Sequence, residues 1–103
     1  MFSYVDLVRL EIALDAERRF GVTIADEETG GWLTLGDVAR LVAGRTGGRV
    51  AEAEVFDYVR TLMTEAYGVS IELTPEGDVF EDYDRVTGWF FARKGGGVSG
   101  ENG

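Results

Sequence analysis

The chain has 103 residues, enough for one compact domain with a single core, and 45% hydrophobic against 28% charged residues is the balance of a globular protein in water. Nineteen acids against ten bases leave a net charge of −9, which repels phosphate backbones and sets nucleic acid aside as a partner. There is no cysteine and no histidine, which removes disulfides, thiolate nucleophiles, Cys-based zinc sites and the usual general base near neutral pH, so an enzyme is not expected.

Val5, Val8, Ile12 and Ala16 recur at spacings of three and four, with Leu7, Leu10 and Leu14 beside them. Residues 3–20 are therefore expected to form a helix with one broad apolar face, stopped by Gly21. Residues 21–33 lack a sustained period and contain Gly30-Gly31, so they read as an irregular connection with one short helical turn at "ADEET". Val22, Ile24 and Trp32 are its expected anchors. Thr34 and Asp37 have capping-box spacing ahead of a helix whose buried stripe is Leu35, Val38, Leu41 and Val42, ending at Gly44. "GRTGGR", 44–49, is a flexible connector. Val55, Val59, Leu62, Met63 and Ala66 then mark a core helix over 51–67, closed by Gly68.

"SIELTPEGDVF" reads as a loop. Over 80–93, Phe80, Tyr83, Val86 and Phe90 fit a helix, whereas Val86-Thr87 and Gly88 fit a strand, and both assignments stay open. Composition marks 95–103 as a disordered tail, leaving 1–94 as a single domain. Nothing alternates with period two over any length, so the expected class is all-α. No apolar run approaches the roughly 18 residues of a membrane span. No basic segment precedes an apolar one at the N-terminus, so a cytoplasmic location is expected.

These segments resemble the acyl carrier protein family. That family reads Asp-Ser-Leu, a helix ending in Glu-x-Phe-Gly, an Ile-Pro-Asp-Glu loop, and Thr-Val-Gly-Asp opening its last helix. Here the matching residues are "VDL" at 5–7, "ERRFG" at 17–21, "IADEE" at 24–28 and "TLGDV" at 34–38, without a gap. "VFDYVRTLMTEAYGVS" resembles the family's first helix, and "ELTPEGDVFEDY", 72–83, resembles the loop that follows it, one residue shorter. The resemblance thus implies a four-helix bundle in circularly permuted order, helices two, three and four and then one. Residues 44–50 would join the old ends, a length usual for bundle connections.

In the family, the serine of Asp-Ser-Leu is esterified to phosphopantetheine. Asp6 occupies that position, with Val5 at the preceding aspartate. A carboxylate offers no hydroxyl for the phosphodiester and repels the donor phosphate, so no covalent phosphopantetheine is expected there. Ser3, three residues earlier, is either an alternative attachment point or the N-cap of the first helix. The resemblance further implies docking through the first helix, with Asp6, Arg9, Glu11 and Asp15 as partner-binding residues. The implied partner is a fatty-acid, polyketide or related biosynthetic enzyme. Arg9, Arg18 and Arg19 interleave with the acids where the family's helix is predominantly acidic. Residues 84–95, with Trp89, Phe90 and Phe91, are additional to the family; they either cover the apolar cleft or form an extra core element.

The expected function is therefore a carrier-like protein that docks without a prosthetic arm, as a monomer or a dimer exchanging halves, with no metal. Two alternatives stand beside it: an acyl or peptidyl carrier modified on Ser3, and an unrelated helical interaction domain. Other motifs fail. Asp82-x-Asp84 lacks the rest of an EF-hand loop, Gly44, Gly47 and Gly48 match no phosphate loop, and Asp26-Glu27-Glu28 reads as a solvated turn.

Overall fold

In the computed structural model, which describes residues 3–102, Ser3 opens the first helix, α1 (Tyr4–Phe20). Its hydroxyl accepts from the Asp6 N–H at 3.2 Å, and the Asp6 carboxylate accepts from the Ser3 N–H at 3.2 Å, a reciprocal capping box. Gly21 ends the helix at φ 70°, a left-handed conformation that costs glycine nothing, and its N–H reaches the Glu17 carbonyl. The Glu17 carboxylate then accepts from the Ile24 N–H at 2.7 Å and fixes the departing chain.

The expected helical turn is α2 (Asp26–Thr29), where Glu28 accepts from the Ala25 N–H at 2.8 Å. Arg45, at the far end of the next helix, pairs with Glu28 and donates to the Thr23 carbonyl, tying the connection down. That helix, α3 (Leu35–Arg45), begins with the expected capping box: the Asp37 N–H donates to the Thr34 hydroxyl at 3.0 Å. The Asp37 carboxylate accepts from the Leu33 and Thr34 N–H groups at 2.9 and 3.0 Å. Gly44 does not end α3, since helical backbone runs on to Arg45 and Thr46 caps it. Leu41, expected on the buried stripe, is only half-buried.

α4 (Glu52–Ala66) buries Val55, Val59 and Met63, and packs along α3. Gly68, at φ 69°, turns the chain so that the Val69 N–H reaches the Met63 carbonyl. On its other side α4 reaches α1: Tyr58 packs edge-on against Phe20 at 5.4 Å, and the Tyr67 hydroxyl lies 3.1 Å from Glu11. Low numbers on α4 thus meet high numbers on α1, an antiparallel neighbour.

Backbone hydrogen bonds tie the 70s loop to the start of α3. The Gly36 N–H donates to the Pro75 carbonyl at 2.9 Å, the Val79 N–H to the Leu33 carbonyl at 3.0 Å, and Thr34 and Asp78 form an isolated bridge. Leu73, Val79 and Phe80 enter the core from this loop.

α5 (Tyr83–Asn102) settles the open choice over 80–93 as helix from Tyr83 onward, with Phe80 left in the loop, and packs along α1 with Val86 and Trp89 buried. Its backbone is helical beyond residue 94, into the stretch read as tail from composition. The glycines at 95–97 each disfavour helix by about 1 kcal/mol, which is why composition pointed the other way. The described residues form five helices and no strand, and among them no helix is long and apolar enough to cross a membrane.

Two glycines of α3 predict opposite outcomes. A Cβ on Gly36 would stand 2.7 Å from the Pro75 carbonyl oxygen, so Gly36→Ala must displace the loop and is expected to cost about 1–2 kcal/mol in urea unfolding. A Cβ on Gly44 meets nothing within 4 Å, and Gly44→Ala is expected to stabilise by about 0.5–1 kcal/mol. The Leu33 and Thr34 N–H groups, with Arg40 beside them, hold the Asp37 carboxyl below its ordinary value. Its contribution is therefore complete above the unfolded-state value and is lost as pH falls through the depressed one. The stability difference between wild type and Asp37→Asn should accordingly be full at neutral pH and shrink on acidification into that range.

Candidate functional site

α1 carries two different surfaces, and the residues singled out from the sequence divide between them. One surface faces the protein. Val5, Val8, Ile12 and Ala16 are buried there, and with them lie Arg9 and Asp15, each only 8% exposed. Arg9 Nη1 is 3.4 Å from Asp6, and its guanidinium stands 5.1 Å from the centre of the Phe80 ring. Asp15 is paired from two sides, with Arg18 Nη2 at 2.6 Å and Arg93 Nη1 of α5 at 3.0 Å.

Arg93 also donates to the Tyr67 hydroxyl at 2.7 Å and lies 3.6 Å from Glu11, while Tyr67 donates to Glu11. Glu11, Asp15, Tyr67 and Arg93 thus form one network across α1, α4 and α5. Burial pushes the Tyr67 hydroxyl far above its ordinary value, against the opposing pull of Arg93, so it stays protonated and donates. Burial also raises the Tyr58 hydroxyl, with Asp15 adding to the effect. For Arg93, burial disfavours the cation, but its bonds to Asp15 and Tyr67 outweigh that and raise its value. This is a clamp between helices, with its charges matched inside the chain.

The other surface of α1 faces outward. Leu14 is 51% exposed, Leu7 and Leu10 are half-buried, and Tyr4 is exposed at the helix start. The three leucines do not join the buried face as their proximity in sequence suggested. At 100° per residue they fall opposite Ile12 and Ala16, so α1 is apolar on two sides. Asp6, Glu11 and Glu17 flank this stripe, and Arg18 and Arg19 stand at its C-terminal end. A notch of about 170 Å³, lined by Glu11, Leu14, Asp15, Arg18 and Arg93, opens beside Leu14.

Of the residues expected to meet a partner, Arg9 and Asp15 are thus buried in internal pairs, Glu11 belongs to the clamp, and Asp6 serves the cap. Ser3 is half-buried, and its hydroxyl accepts the Asp6 N–H. The Asp6 carboxylate beside it would repel an approaching phosphate. Arg93 and Tyr67 were not singled out from the sequence. The signal was the seven-residue step from Val86 to Arg93, which returns to the same face once the segment is helical. Trp89 is 8% exposed, so this extra segment packs as a core element on α1. Among the described residues no group of three or more acidic side chains is gathered to hold a metal ion.

No protein-family model matches the chain, and neither does a curated protein or a solved structure.

Removing Arg93 leaves Asp15 buried with one partner fewer, and Arg93→Met is expected to cost about 2 kcal/mol in urea unfolding. Adding Asp15→Leu should recover part of that loss. Arg60→Met, which breaks the exposed pair with Asp57, should cost under about 0.5 kcal/mol.

Proposed function

We propose that this is an acyl-carrier-like helical domain that works by docking onto a partner protein through α1, without a covalent phosphopantetheine arm. The observation that carries the reading is the outward stripe of Leu7, Leu10 and Leu14 on a helix whose other face is already buried. An apolar helix face at spacings of three and four fits an apolar groove on a partner. The acids along its flanks favour a groove with basic rims, and the notch beside Leu14 gives one partner side chain a seat. The partner class that the family resemblance brings is a biosynthetic enzyme of fatty-acid, polyketide or related type.

The carrier-like arrangement, in permuted order, is supported by α4 packing along α3 after the short 46–51 connection and meeting α1 through the Tyr58 side chain and, just past its end, the Tyr67 hydroxyl. α5 is an addition to that bundle. The armless reading rests on Asp6 at the attachment position and on Ser3, whose hydroxyl is engaged in the helix cap beside a carboxylate.

Intact mass after incubation with coenzyme A and a phosphopantetheinyl transferase is expected to stay unchanged. A gain of one phosphopantetheine that disappears in Ser3→Ala would establish a working carrier instead. A photo-crosslinking residue at position 10 is expected to give one discrete adduct with a host-cell protein, lost in Leu7→Ser/Leu14→Ser. The same group at exposed Thr64 should give none. Equal labelling from both positions defeats the docking assignment.

A further inference from the structure

A second surface, sharing no residue with the leucine stripe, lies where α3, α4 and the 70s loop meet. A groove of about 290 Å³ opens there. Small residues keep it open: Gly36 and Ala39 from α3, and Ala53 from the first turn of α4. Half-buried Phe56 and exposed Pro75 add apolar lining. Drug-sized ligands occupy pockets from about 300 Å³ upward, so this groove suits one side chain better than a whole cofactor.

Its charge is one-sided. Glu52 and Glu76 line it, both exposed, and neither makes an ion pair or hydrogen bond among the described residues. Arg40, the one base lining it among the described residues, is engaged by Asp37. From Glu76 the loop continues through Asp78, Glu81, Asp82 and Asp84, four more acids before the first base, Arg85. The crowding is visible at Glu81, whose carboxyl is raised chiefly by sharing a hydrogen bond with Asp78.

We infer that this groove and the acidic loop bind a basic peptide segment, with one arginine side chain seated between Phe56, Pro75 and the Glu52 and Glu76 carboxylates. Arginine fits better than lysine because its planar guanidinium both stacks on an aromatic face and forks onto carboxylates. The rest of the segment lies along the loop, where attraction is long-ranged and salt-sensitive.

The test uses the full chain, titrated at low ionic strength with the peptide acetyl-Arg-Gly-Arg-Gly-Arg-amide and followed by amide chemical shifts. Saturable shifts are expected at Gly36, Ala53, Phe56 and across 76–84, with a Kd on the order of 100 µM. Ala53→Leu fills the groove from an exposed position and should weaken binding at least about five-fold. Glu52→Gln/Glu76→Gln should weaken it similarly, with circular dichroism unchanged in both variants. No saturation overturns the inference, as does binding that Ala53→Leu leaves intact, which would be charge attraction without a seat. Equal affinity for the matching lysine peptide overturns the choice of guanidinium.

Discussion

A carboxylate and a guanidinium near the middle of α1 are withdrawn from water, and the rest of the architecture has to accommodate them. An isolated buried charge costs several kcal/mol, so Asp15 and Arg9 can lie on the inner face of α1 only with partners, some from α1 itself and some from other elements. Asp15 is met by Arg93 from α5, Arg9 by Asp6 and the Phe80 ring, and Glu11 by Tyr67 from α4. Through Arg93, Phe80 and Tyr67, these contacts tie α5, the 70s loop and the chain just past α4 to α1. Apolar packing of Val86, Trp89, Val55 and Val59 supplies bulk attraction; the Tyr67 hydrogen bonds to Glu11 and Arg93 add directional ties.

This arrangement separates stability from display. The charged groups on α1 that a sequence comparison would assign to a partner are largely spent inside the molecule. What the helix offers outward is apolar, with acids at its margins. On the proposed reading, docking through α1 would be shape and apolar fit first, with charge restricting which grooves are acceptable. The groove beneath Pro75 has the opposite character, a small apolar seat within a dense field of acids. On the proposed readings the two surfaces would take different ligands.

Much of the local structure was legible in the residues. Ser3 with Asp6, and Thr34 with Asp37, are capping pairs whose spacing is a property of the first helical turn and needs no tertiary context. The starts of α1 and α3 therefore fell where expected, as did the α1 stop at Gly21 and the turn at α2. The end of α3 moved by a residue because Gly44 is tolerated in an exposed helical turn and Thr46, not glycine, caps it. The 80–93 segment was ambiguous because Val86, Thr87 and Gly88 are poor helix formers locally; burial of Val86 and Trp89 on one face outweighs that preference.

Composition and spacing alone gave a small acidic chain of mainly helical class, the N-caps of α1 and α3 and many of the core positions, because those depend on interactions within a turn or two of chain. Which side of α1 would be covered was beyond them. Leu7, Leu10 and Leu14 are as apolar as Val8 and Ile12, and only the placement of the other elements leaves Leu7 and Leu10 half-buried and Leu14 exposed. The pairing of Asp15 with Arg93 joins residues 78 positions apart, and the Gly36 contact with Pro75 joins residues 39 apart. Such distances in sequence are closed only by the packed fold, where desolvation makes a matched partner obligatory and close backbone approach leaves no room for a Cβ.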